Sequence, residues 1–423
     1  MTLFSPKLLY WIKILSKYIS VQLIVQALGF INGIFLVRTL DQKEYAYYTI
    51  AITMQTTMLL LADMGVGVGI SAIGGKVWQD KYRFGQLINT ALQLRAYLAG
   101  GSIIVITPIM VWMLMKNGAS PINTGLIVIV VLVGLHFQLT TIVLNVIPQL
   151  HSQISRLQKL DLLFSVSRLI LLGMAYLIYL NTVMAIAAAS IAAGFQRYIL
   201  GYWITDSVDT KASINQEDRK FLLAQVIQLA PNGIFFCLQN QISIWLISLF
   251  GSTKDVAEAG ALGRIGIIFL LISSVMGNII VPSFIRCQSL KMLQRRYFQI
   301  LGCFLILGIM LIVITALFPK ELLWILGNKY SHLTNELFLM MIYTVLTSII
   351  GAMWSLNAAK AWVQYAWVEI PMRIITQIIL LIPLDVSSVK GVLLFSILSS
   401  IPPFLVNTLL TYRGFKTFEQ STV

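Results

Sequence analysis

The chain has 423 residues, of which 58% are apolar and only 11% charged, with a net charge of +14. Soluble globular domains carry about 25% charged residues, so a chain this poor in charge cannot cover its own surface in water. The basic excess lies in short clusters between apolar runs, which is the pattern of membrane topology and argues against a nucleic-acid partner.

A spanning helix needs about 20 predominantly apolar residues. In chain order, such runs predict spans near 16–37, 45–73, 96–115, 124–148, 161–180, 182–204, 221–250, 259–284, 297–318, 337–359, 364–383 and 391–412. The first run follows Lys7, Lys13 and Lys17 without a small-residue cleavage site, and is read as a retained helix. With the N-terminus in the cytoplasm, the inside segments hold 20 basic residues and the outside segments 7. That bias predicts an even number of spans with both termini cytoplasmic. The expected architecture is an all-α integral membrane protein of about twelve transmembrane helices in two six-helix lobes. The lobes are 1–204 and 221–423, joined by a polar cytoplasmic linker at 205–220. A weak internal repeat points the same way: Lys17 to Gln22 (KYISVQ) resembles Lys220 to Gln225 (KFLLAQ).

Polar groups inside apolar runs are costly and mark function by default. Arg168, Arg197 and Arg264 lie about two turns inside their helices. Arginine is long enough to snorkel to the interface. The functional alternative is a cationic cavity for an anion such as a phosphate. Asp63 is the deep acid of the first half, followed by Gly65, Gly67 and Gly69. It is a candidate ion-coupling site, a partner for an arginine, or the cap of a locally opened helix. Glu369 stands four residues before Arg373, the spacing of a local pair. Amides gather in the first span (Gln22, Gln26, Asn32) and in the seventh (Gln225, Gln228, Asn232). They serve either as glue between helices or as the lining of a polar path. His136, mid-helix, is expected to be packed and neutral. The three histidines and three cysteines show no metal spacing, and no nucleotide-binding or hydrolase motif occurs. No cofactor and no catalytic activity are expected.

Four runs carry a family resemblance: Val37 to Tyr48 (VRTLDQKEYAYY), Leu61 to Gly67 (LADMGVG), Glu258 to Arg264 (EAGALGR) and Leu322 to Tyr330 (LLWILGNKY). In their order and spacing the chain resembles the polysaccharide and O-antigen flippases of the multidrug/oligosaccharidyl-lipid/polysaccharide (MOP) exporter superfamily. Ala46 departs from the glycine common in that family at this position. The resemblance implies a two-lobed, MATE-like transporter of the bacterial inner membrane that works by alternating access. Its implied cargo is an oligosaccharide on undecaprenyl pyrophosphate, moved from the cytoplasmic to the periplasmic leaflet. Membrane lipids, and polysaccharide polymerase and chain-length machinery, are the corresponding candidate partners. The rivals are a MATE-type multidrug antiporter, a lipid II flippase and, from another class, a membrane glycosyltransferase or polymerase. A cation antiporter needs intramembrane acids, which are scarce here. A lipid II flippase usually has two further helices, and a polymerase needs a large outside loop.

Overall fold

The computed structural model describes residues 6–266, 276, 280–285, 287 and 289–422, with side chains from residue 21 to 418 except 282 and 283. The chain divides into two compact units, Met1–Ile242 and Ser243–Val423.

The first unit is built from α1 (Pro6–Thr39), α2 (Gln42–Asp63), α3 (Val66–Val77), α4 (Lys81–Lys116), α5 (Pro121–Leu144), α6 (Val146–Leu150), α7 (Ile154–Ile178), α8 (Thr182–Ile204) and the first part of α9 (Gln216–Phe250). Three of the starts are set by side-chain caps. Asp80 accepts from the backbone N–H groups of Tyr82 and Arg83, Ser120 from that of Asn123, and Asn181 from that of Met184. Asn181 and its neighbours therefore suffice to end one span and begin the next.

With lipid as solvent, helices associate through close backbone approach and interhelical hydrogen bonds. α8 buries Ala185, Ala188, Ala189, Ala192 and Ala193, and it packs on both α5 and α7. At Gly134 of α5 a β-carbon would lie 2.4 Å from Ser190 Oγ and 2.9 Å from Gln55 Nε2. Both side chains donate to α5 carbonyls beside it, Ser190 to Val130 at 3.1 Å and Gln55 to Val131 at 3.2 Å.

The second predicted span is broken. α2 and α3 meet at 46°. Met64 and Gly65 occupy the break at φ 27° and 93°. The three alternate glycines have three different uses. Gly65 takes the left-handed turn, Gly67 donates its N–H to Asp63 Oδ1 at 3.2 Å, and Gly69 admits the Leu222 side chain of α9.

The linker is folded back on α4. Asn89 donates to the carbonyls of Thr210 (3.1 Å) and Ala212 (2.8 Å), and the Asp209 N–H donates to the Lys81 carbonyl. Arg83 grips the buried Asp218 with two nitrogens, at 2.5 and 2.6 Å. A β-carbon on Gly85 would lie 2.2 Å from the Asp209 carbonyl oxygen, a backbone atom that cannot rotate away. Gly85→Ala is therefore expected to lift the linker from α4. Limited proteolysis between Asp206 and Asn215 should accelerate severalfold in the variant; unchanged cleavage would contradict the docked arrangement.

The second unit contains the rest of α9, α10 (Thr253–Ile265), α11 (Val281–Ile285), α12 (Leu290–Leu317), α13 (Pro319–Leu326), α14 (Thr334–Ala359), α15 (Glu369–Leu380), α16 (Val389–Leu398) and α17 (Ile401–Thr422). Among the described residues nine helical stretches are long and apolar enough to span a membrane, or ten when the bent α2–α3 pair counts as one. This is fewer than the twelve runs counted from sequence, for two reasons. The candidate at 259–284 is interrupted by residues outside the described ones, 267–275 and 277–279. In the candidate at 364–383 the α-helix proper covers the 12 residues of α15, preceded by a 3-10 turn at Ala366–Val368, so it falls outside this count of long helices. The last candidate is α16 and α17 in series, separated by Ser399 and Ser400.

Candidate functional site

The site lies within the first unit, between α4, α5 and α8. A cavity of about 600 Å³ is bordered there by Leu92, Arg95, Ala99, His136, Thr140 and Arg197, among others. That volume is in the range of small-molecule sites. A second cavity of about 380 Å³ adjoins it, sharing Leu92 and Arg197 and reaching Val208 and Thr210 of the linker. Arg197 thus stands between the two spaces, half-buried, its Nη1 only 2.6 Å from where a β-carbon on Gly201 would be. The small residue about one helical turn further along leaves room for the guanidinium against α8. Among the described residues Arg197 has no carboxylate partner, and neither cavity is bordered by Asp or Glu.

Arg95 is the more unusual member. It is 2% exposed. Its Nη2 pairs with Asp63 Oδ1 across from α4 to the end of α2, while Nε and Nη1 are buried without an acceptor among the described residues. A buried donor left unmet costs about 1–3 kcal/mol, more when charged. Such groups are the places where an incoming oxyanion gains most. His136 is exposed and borders the cavity, edge-on to Phe137 at 5.8 Å. The expectation of a packed histidine is corrected accordingly: the helix is apolar, but this face of it opens on a space.

The other residues singled out from sequence are distributed more widely. Arg168 of α7 donates to the Tyr48 hydroxyl of α2 at 2.7 Å. Asn32 is buried and donates to the Ser165 carbonyl of α7 at 3.0 Å, so this amide joins two helices. Gln22 and Gln26 are half-buried on α1. Gln225 is half-buried beside Gly69, and Gln228 and Asn232 are exposed on the same face of α9. Arg264 lies in the last turn of α10, in the second unit. Glu369 and Arg373 approach to 3.6 Å at the predicted i, i+4 spacing. Among the described residues no group of His, Cys, Asp or Glu is arranged to hold a metal ion.

Sequence reasoning missed Arg95 because the third span was begun at residue 96, which left the arginine counted among cytoplasmic charges. The helix starts at Lys81, behind the Asp80 cap. Phe84, Leu87, Ile88, Ala91 and Leu94 then mark a buried face that includes Arg95. That periodicity was available in the sequence.

Solved structures with the same architecture are transporters. An inward-facing multidrug-resistance MATE transporter of the MOP superfamily matches with TM-score 0.72 and 16% identity, over 94% of this chain and 96% of that one. The chain shares the fold of that transporter. An outward-facing MATE transporter matches with TM-score 0.61 and 15% identity, over 95% and 94% of the two chains. A MOP-superfamily transporter from Pyrococcus furiosus, described as having a binding pocket of reverse polarity that suggests a different function, matches with TM-score 0.58 and 14% identity, over 95% and 94%. No protein-family model and no curated protein matches the sequence. The shared fold and the helices long and apolar enough to cross a membrane are those of a multi-pass membrane protein.

Proposed function

We propose that the chain is an alternating-access exporter of an anionic, lipid-linked glycan. The cargo is of the undecaprenyl-pyrophosphate-oligosaccharide type, carried from the cytoplasmic to the periplasmic leaflet of a bacterial inner membrane. The observation that carries this reading is the cavity beside Arg95 and Arg197, bordered by two cations and by no carboxylate among the described residues. Such a surface suits a diphosphate, whose oxygens accept charge-assisted hydrogen bonds from arginine. It repels a cationic drug. The Pyrococcus furiosus transporter, whose reverse-polarity pocket suggests a different function, supports looking beyond multidrug export for this fold. Outward movement of a diphosphate is also favoured by an inside-negative potential, by about 2.3 kcal/mol per charge per 100 mV.

Multidrug antiport is the second reading, and the likeness to MATE transporters favours it. Proteoliposomes separate the two. The glycan reading expects a fluorescent lipid-diphosphate oligosaccharide to change leaflets and a cationic dye to be ignored. Transport of the dye alone would reverse the assignment.

In this reading both termini and the linker lie in the cytoplasm, supported by a charge bias of 19 to 7 once Arg95 is counted within α4. Single cysteines introduced at Ser213 and at Ser421 in a cysteine-free background test this. In intact cells neither should react with an impermeant maleimide, whereas one at Ser331 should. Labelling of Ser213 or Ser421 positions from outside would sink the topology.

A further inference from the structure

The Asp63–Arg95 pair is lopsided. The cation is sealed in, with its side chain 3% exposed, while the acid is 41% exposed. One guanidinium nitrogen has an acceptor and two have none among the described residues. Asp63 has a second anchor in the Gly67 N–H, at the start of α3 and directly across the Met64–Gly65 break.

We propose that Asp63 is an internal competitor for the phosphoryl group at Arg95, a tethered carboxylate that holds the guanidinium between cargoes and yields it to a diphosphate. The inference rests on the anionic-cargo reading and names the residue that governs its affinity. A buried guanidinium stripped of the anion that pairs with it is the unstable species here. The acid tolerates release far better. It is already in partial contact with solvent, and the N-terminus of the 12-residue α3 continues to support its negative charge. A diphosphate presents several oxygens to a planar fork of donors, so it meets Nε and Nη1, which the single carboxylate oxygen leaves unmet. Exchange therefore proceeds with the arginine neutralised before and after, and the acid, not the arginine, takes the exposed position. The same tether promotes release. A carboxylate held beside the site has a high effective concentration, so it reclaims Arg95 as the cargo leaves and prevents a binding energy too large for turnover.

The test uses the purified full chain in detergent, titrated calorimetrically with inorganic pyrophosphate. The wild type is expected to bind, and Arg95→Gln to abolish binding. Asp63→Asn removes the competitor and is expected to bind roughly tenfold more tightly, the factor for a site freed from about 90% self-occupancy. Asp63→Ser, which keeps an oxygen acceptor for Gly67, provides the same reading should the amide variant not fold. In the wild type itself, saturating pyrophosphate is expected to speed hydrogen exchange across residues 62–69. Undecaprenyl pyrophosphate added to the micelles is expected to displace the probe; failure to do so overturns a lipid-borne occupant while sparing the exchange. Arg95-dependent binding that is unchanged or weaker in the Asp63 variants, or exchange at 62–69 that does not rise, overturns the competitor. Pyrophosphate binding that is absent throughout, or indifferent to Arg95→Gln, overturns the anionic-cavity reading itself.

Discussion

Protein carrying Arg95→Gln and Arg197→Gln together is expected to lose cargo export by about two to four orders of magnitude at normal membrane abundance. A hydrogen bond to a charged group contributes about 1.5–3 kcal/mol, so two lost guanidinium contacts remove roughly 3–6 kcal/mol, and each 1.4 kcal/mol is a factor of ten. The single variants separate the contributions. Arg197 has no carboxylate partner among the described residues, so Arg197→Gln deprives the cavity of charge without orphaning an acid. It is expected to fold normally and to lose about tenfold or more. Arg197→Lys keeps the charge but not the fork, and is expected to fall between the two. Arg168→Gln serves as the contrast. Its guanidinium is engaged with the Tyr48 hydroxyl, so its loss should show first in thermal stability and only weakly in cargo selectivity. Initial rates of leaflet exchange in proteoliposomes measure all four. Undiminished export in the double variant would remove the cationic cavity from the mechanism.

Much of the fold was legible because lipid imposes a simple rule: every backbone polar group must be met within a helix. The apolar runs therefore located α5, α7, α8, α12 and α14 to within a few residues or about two turns, and the end of α1 to within two residues. Even the break beside Asp63 carried a signal, since three alternate glycines after an intramembrane acid are poor helix but good hinge. What the runs conceal is the polar tail of a helix. α4 begins 15 residues before its apolar stretch, and its buried face there bears Arg95. Hydropathy averaged over a span loses such a residue, whereas the 3.6-residue period retains it. Partner choice was less accessible. Arg168, Arg197 and Arg264 look equivalent along the chain, yet one is tied to a tyrosine, one borders two cavities and one lies in the other unit. Only three-dimensional packing makes these distinctions. The linker is a further case. Its charges suggested a polar cytoplasmic linker, and its docking was not legible: Asp218 is buried against Arg83 and the backbone of 209–212 is hydrogen-bonded to α4.

Asp63→Asn is expected to lower stability, and Arg95→Gln introduced beside it to restore part of what is lost. The amide keeps the shape of the acid and its acceptor for the Gly67 N–H, but it no longer carries the charge that neutralises Arg95. Removing one partner of a buried pair costs about 3–5 kcal/mol, and the exposure of Asp63 places this case toward or below the lower end of that range. Because nearly all of the penalty is the stranded guanidinium, replacing it by Gln in the same protein removes the stranded charge. A double-mutant cycle then gives a coupling of about 2–3 kcal/mol, within the span seen for residues in contact. Thermal unfolding of the four proteins in one detergent, with a tryptophan fluorescence readout, supplies the cycle. Export by the same proteins under an imposed proton or sodium gradient tests the alternative use of this acid. Ion coupling through Asp63 requires a stable Asp63→Asn protein that transports without responding to the gradient. The pairing with Arg95 expects the opposite, a less stable protein whose remaining export responds to gradients as the wild type does. Additive stabilities in the cycle would show that the contact between α2 and α4 contributes nothing, and with it would go the internal competitor.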